Sequence, residues 1–193
     1  SVSMPEKIAT LMAQSSVPAG GRVFSDTLRL TVLPARTVIQ LRFAGLAPKG
    51  IGTLKIAGRP VPQAINTWSG DDPVICRIAP DTWLLFSALH EAPELLDAVR
   101  TACGKRLCAI TDLSDAYVTL ALDGARAASV LARGCGIDFS ATAFGPNACA
   151  RTRLAQLPVV VRRVTAERFE CVVDRSAAQY VFDWMQDAAA GLD

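Results

Sequence analysis

Histidine is nearly missing from this chain, His90 being the only one among 193 residues. The cysteines Cys76, Cys103, Cys108, Cys135, Cys149 and Cys171 include no Cys-x-x-Cys pair. A structural zinc site needs four ligands drawn from such clusters, so both shortages argue against one. Aromatic residues make up 6% of the chain, too few to build a platform on which nucleic-acid bases stack. The net charge is only +2, which demands neither a nucleic acid nor an anionic membrane as partner. No apolar run approaches the roughly 20 residues needed to cross a bilayer. The segment Ser1 to Lys7 lacks the basic-then-apolar order of a secretory signal. Neither the glycine spacing of a dinucleotide fingerprint nor the lysine and Ser/Thr of a phosphate loop is found, and Gly134-Cys135-Gly136 reads more simply as the end of a helix.

What is there belongs to an ordinary globular protein: 51% hydrophobic and 20% charged residues in a length that suits one domain. The cysteines lie in apolar contexts such as Val74-Ile75-Cys76 and Cys171-Val172-Val173, as reduced cysteines do, and a cytoplasmic location is expected. Residues 1–27 read as an N-terminal arm. It would comprise a short amphipathic helix over 4–14, bearing Ile8, Leu11 and Met12, and a flexible joint over 15–21. Residues 28–193 read as a single α+β domain.

Within that domain, strands are expected at 37–43, 53–56, 74–78 and 83–86 from their β-branched and aromatic content. The stretch 58–73, with Pro60, Pro62, Gly70 and Pro73, reads as a loop carrying Trp68. A helix follows over 93–103, opened by Pro93 and closed by Gly104, with Leu95, Leu96, Val99 and Cys103 at helical spacing. Strands at 107–113 and 117–122 lead to a second helix through Ala127, Val130 and Leu131, ended by Gly134. The last third reads as strands over 149–154, 159–164 and 169–173, the first two separated by Pro158. A final helix over 176–189, capped by Asp174 or Ser176, would face inward with Ala177, Tyr180, Val181, Trp184 and Ala188. Several strands followed by one helix occur twice, in halves of about 28–105 and 106–193. The expected fold is therefore α+β, with two related β-α-β halves, mixed or antiparallel sheets and amphipathic helices.

Candidate chemistry is sparse. His90 would need a serine and a carboxylate nearby to act as a base; otherwise it is a loop histidine beside a helix start. Asp112, Ser114 and Asp115 are either an acid–base pair with a hydroxyl or a turn between two strands. Cys103, Cys108 and Cys135 would be reactive only if a positive charge such as Lys105 or Arg106 lowered their pKa. Arg151 and Arg153 share one strand face, with Arg162, Arg163 and Arg168 on neighbouring segments. That set reads as a solvated face, an anion site or a partner surface.

Several segments, taken in order, resemble the gamma subunits of heterotetrameric sarcosine oxidases. They are Ala79-Pro80-Asp81-Thr82-Trp83-Leu84-Leu85, then Thr111 to Leu120 and Val130 to Phe139. Ala143-Phe144-Gly145-Pro146, Cys149-Ala150-Arg151-Thr152 and the tail Asp174 to Trp184 complete the likeness, which covers about residues 75–190. The resemblance implies a fold like the folate-binding domain of aminomethyltransferases, two β-α-β halves that exchange strands. It implies a structural subunit with no catalytic residue, cofactor or metal of its own. FAD, FMN, NAD and tetrahydrofolate would belong to larger alpha and beta flavoprotein subunits, which oxidise sarcosine to glycine. Alternatives are a folate-binding one-carbon transferase, using Asp112 or Asp115 with the arginines at 151–163, or the small subunit of a related N-methyl amino acid dehydrogenase. Phe24, Trp68, Arg151 and Arg163 are the expected partner contacts.

Overall fold

The computed structural model describes residues 17, 20–25, 28–45 and 51–192. The helix expected over 4–14 lies outside them. In chain order the elements are β1 (Gly20–Ser25), β2 (Leu28–Val32), β3 (Thr37–Phe43), β4 (Lys55–Ile56), β5 (Arg59–Pro60) and β6 (Thr67–Ser69). They continue with β7 (Val74–Ala79), β8 (Thr82–Ser87), α1 (Ala92–Cys103), β9 (Cys108–Asp112), β10 (Tyr117–Asp123) and α2 (Ala127–Ala132). The last are β11 (Cys149–Leu154), β12 (Leu157–Arg163), β13 (Arg168–Asp174) and α3 (Ala178–Ala190).

Two antiparallel sheets carry the fold. One has the order β1-β2-β10-β13-β12-β11 and the other β6-β7-β8-β3-β9, with β4 and β5 forming a small separate ribbon. Read from β11 and from β6 respectively, the two orders match strand for strand: β12 with β7, β13 with β8, β10 with β3, and β2 with β9. Each half thus lends one strand to the other's sheet. The chain crosses through residues 33–36 in the first half and 113–116 in the second. The expected α+β duplication with exchanged strands is what the topology shows.

The sheets pack face to face with helices outside, a four-layer arrangement. Leu95, Val99 and Cys103 of α1 cover Ile39, Leu41, Ile75 and Leu85 of the second sheet. Val130 and Leu131 of α2 and Val181 and Met185 of α3 cover Leu120, Val161, Phe169 and Cys171 of the first. Between the sheets lie Val38, Cys76, Leu84, Phe86, Cys149, Val160 and Val172. Strands enclosed on both faces are buried at every position, as Val74–Ile78 and Phe169–Val173 are, so their side chains are apolar apart from Arg77 and Glu170, which are hydrogen-bonded internally.

Local signals were overridden in four places. Gly20 and Gly21, expected in a flexible joint, form β1 on the edge of the first sheet, where a Cβ at Gly21 would lie 2.9 Å from Thr31 Oγ1. Trp68, expected in a loop, lies in β6 and is half-buried. Pro158 lies inside β12 opposite Arg153, and the turn falls at Ala155 and Gln156, whose φ angles are 49° and 71°. A short 3₁₀ turn at Arg175–Ala177, capped by Asp174, precedes α3. That offset leaves Tyr180 exposed and turns Met185 inward.

Candidate functional site

The polar side chains gather where the two crossing segments, 33–36 and 113–116, meet between the sheets. A cleft of about 420 Å³ opens there, lined by Arg36, Ser87, His90, Asp112, Ser114 and Asp115 among others. Arg36 is shared with a smaller cavity reaching Asp72 and Arg162.

His90 does meet a serine and a carboxylate. Its Nδ1 is 3.1 Å from Ser87 Oγ and 3.2 Å from Asp72 Oδ1. A nucleophilic triad requires the imidazole to bridge, one nitrogen toward each partner. Here both partners crowd the same nitrogen, and the Ser87 hydroxyl hydrogen-bonds directly to Asp72. That hydroxyl also accepts the N–H of Leu89 (3.2 Å) and of His90 (2.8 Å), while Asp72 Oδ2 accepts the Ala88 N–H (2.8 Å). The group is a staple holding the β8–α1 turn to the loop before β7. Burial pushes the Asp72 carboxyl up, but hydrogen bonds from Ser87, Ala88, His90 and Leu89 outweigh it and hold it below the usual range.

Asp112 is equally engaged. It accepts the Ser114 N–H (2.9 Å) and hydroxyl (2.6 Å), and Ser114 Oγ in turn accepts the Val38 N–H (3.0 Å). The turn reading of this segment holds, and Asp115 is exposed beside Arg175.

Behind the cleft, Glu170 is 3% exposed and accepts from Arg162 Nε (3.1 Å) and Nη2 (2.8 Å) and from Arg36 Nη1 (3.0 Å). Burial raises its carboxyl pKa, yet the Arg162 and Arg36 guanidiniums prevail and hold it low. Arg162 also lies 4.7 Å over the Trp68 ring, and the Trp68 indole N–H donates to the Arg163 carbonyl (3.0 Å). This cluster joins both sheets and one crossing segment.

The arginine face expected along 151–168 is therefore divided. Arg151 and Arg153 are exposed on β11, whereas Arg163 is buried. Its guanidinium donates to the carbonyls of Phe139 (3.2 Å), Phe144 (2.7 Å) and Ala166 (2.6 Å) and stacks on Phe169. Arg163 is thus an internal brace, which corrects its placement on a contact surface. Phe24 is half-buried against the core, under Arg22. Thiol chemistry is disfavoured: burial, with Cys108 beside it, pushes Cys103 up to about 12, and burial also raises Cys171. Among the described residues no group of three or more His, Cys, Asp or Glu could hold a metal ion, and no helix is long and apolar enough to cross a membrane.

Residues 67–193 match the GCVT N-terminal domain family. The chain is 32% identical over 167 residues to the sarcosine oxidase subunit gamma of Corynebacterium sp. (strain U-96), covering 86% of this chain and 75% of that one. The chain belongs to the sarcosine oxidase gamma-subunit family. Its fold matches a chain of the heterotetrameric sarcosine oxidase from Corynebacterium sp. U-96, solved in complex with pyrrole 2-carboxylate. That match has a TM-score of 0.74 and 27% identity and covers 85% of this chain and 84% of the other. The glycine cleavage system aminomethyltransferase T from Bartonella henselae shares the fold, with TM-score 0.54 and 18% identity, covering 81% of this chain and 44% of that one. In this gamma-subunit family member, Arg36, Asp72 and Glu170 are the residues that sequence reasoning passed over. A carboxylate flanked by β-formers, as in Phe169-Glu170-Cys171, was the available sign of a buried ion pair.

Proposed function

We propose that the chain is a structural and assembly subunit of a heterotetrameric, flavin-dependent sarcosine oxidase in the cytoplasm. Larger alpha and beta flavoprotein subunits are its partners, and they carry FAD, FMN, NAD and tetrahydrofolate and convert sarcosine to glycine. The observation that carries this reading is the way Ser87, His90 and Asp72 are arranged. The chain's one histidine is engaged in a turn staple whose serine points its proton at the carboxylate, not at the imidazole. Membership of the gamma-subunit family agrees with it.

A folate-transferase role fits less well. The Asp112 carboxylate is already engaged by Ser114 of its own loop, and the Arg163 guanidinium is enclosed by carbonyl oxygens. Tagged chain expressed with its neighbouring genes tests the proposal. The expected result is recovery of two large flavin-bearing polypeptides with sarcosine-dependent turnover, and a flat tetrahydrofolate titration of the isolated chain. Recovery of this polypeptide alone would overturn it, and turnover only with another N-methyl amino acid would reassign the complex.

A further inference from the structure

The duplication exposes one asymmetry. β2 and β9 are counterparts, each the strand lent to the opposite sheet. The outer edge of β2 is covered by β1, paired antiparallel from Gly20↔Val32 to Ser25↔Leu28. Among the described residues, no strand covers the outer edge of β9.

The hydrogen bonds of β9 show which groups that edge presents. The Ala44 N–H donates to the Leu107 carbonyl (3.1 Å) and the Leu113 N–H to the Val38 carbonyl (2.8 Å). In an antiparallel ladder the bonding residues alternate, so Leu107, Ala109, Thr111 and Leu113 face β3. Cys108, Ile110 and Asp112 turn their N–H and C=O groups outward. Soluble proteins usually guard such an edge with lysine, proline or a bulge. Cys108-Ala109-Ile110-Thr111-Asp112 contains no lysine or proline and pairs with β3 in unbroken register. At its start Leu107 is 80% exposed, beside a largely apolar cleft of about 410 Å³ lined by Phe43, Ala44, Leu107 and Ala109 among others.

We propose that the free edge of β9 receives an extended strand of a larger subunit, added antiparallel as β1 is added to β2, with an apolar side chain seated in the cleft beside Leu107. This rests on the assembly role argued above. The flanking charges describe the incoming segment. Lys105 and Arg106 are exposed before β9, Asp112 is exposed at its last position and Asp115 is exposed after it. An antiparallel strand matching them is acidic toward its C-terminal end and basic toward its N-terminal end. A second copy of this chain would satisfy the same charge order. Centred on Ile110, however, it would bring Leu113 to the cleft, and Leu113 is already packed in its own inter-sheet core.

Hydrogen exchange on the assembled complex, compared with the isolated full chain, reads this directly. The amides of Cys108, Ile110 and Asp112 are expected to exchange at least about tenfold more slowly in the complex, since a hydrogen-bonded amide exchanges only when its bond opens. Ile110→Pro removes one outward N–H and is expected to abolish co-purification, while Ile110→Ala loses the same packing, keeps the N–H and retains the partner. Unchanged exchange at β9 in an intact complex, or full assembly by Ile110→Pro, overturns the edge assignment alone. A β9 already protected in a dimer of the isolated chain overturns it in favour of the second copy. A wild-type chain that captures no large subunit overturns the assembly role along with it.

Discussion

The Arg162 guanidinium lies 4.7 Å above the ring of Trp68, and the two residues belong to different sheets. Together with the bond from the Trp68 indole to the Arg163 carbonyl, this contact clamps the edge of one duplicated half onto the other. Trp68→Ala removes the ring, the cation–π contact and one hydrogen bond from a half-buried site. The expected cost is roughly 2–4 kcal/mol, below that of a fully buried tryptophan. Chemical denaturation of the isolated chain measures it. A loss under about 1 kcal/mol, the scale of a surface change, would show that Trp68 is not a clamp.

Glu170 makes the same clamp sensitive to acid. Its carboxyl is held below the ordinary value of 4.5 despite burial, because Arg162 and Arg36 both favour the charged form. A depressed folded-state pKa gives stability that is complete above pH 4.5 and lost as pH falls below it toward the folded value. The urea midpoint of the wild type is therefore expected to drop below pH 4.5 more steeply than that of Glu170→Gln. At neutral pH, Glu170→Ala is expected to cost roughly 3–5 kcal/mol, because it strands two guanidiniums near the core. Parallel acid profiles for wild type and Glu170→Gln would refute the sign.

The sheets were largely legible because enclosed strands are written as apolar runs: 74–78, 83–86 and 169–173 are strands where the residues place them. The ion cluster was not. An arginine in a β-rich segment reads as solvent-facing by alternation, and only the second sheet packed across it buries Arg162. The meeting of Asp72 with His90 spans 18 residues and depends on the register of the β7–β8 hairpin between them, which no local propensity encodes. β1 was missed because paired glycines favour turns, and close approach to Thr31 is the competing reason for Gly21.

The staple at Ser87 separates structure from catalysis. Ser87→Ala leaves two backbone N–H groups and Asp72 short of a partner and is expected to cost roughly 1–3 kcal/mol. His90→Ala, at a partly exposed position, is expected to cost less than about 1 kcal/mol. Neither change should alter turnover per assembled complex. Thermal unfolding and a steady-state assay on co-purified material check both, and a large fall in turnover at wild-type stability would make His90 a functional group after all.

Gly134 is a position where a single added methyl group should matter through packing alone. A Cβ there would fall 2.5 Å from the ring of Trp184, with the Ala155 amide nitrogen at 3.1 Å on another side. The glycine ends α2 and lets α3 lie against it, so its role is close approach, with no need for an unusual φ. Gly134→Ala must displace the indole or open the α2–α3 packing, an overpacking cost of roughly 1–3 kcal/mol. Trp184→Leu shortens the opposing side chain and has its own cost. The pair in one molecule should then be less destabilised than the sum of the two, because the clash is gone. Additive losses in that double-mutant cycle would mean that Gly134 is required for its backbone and not for the tryptophan.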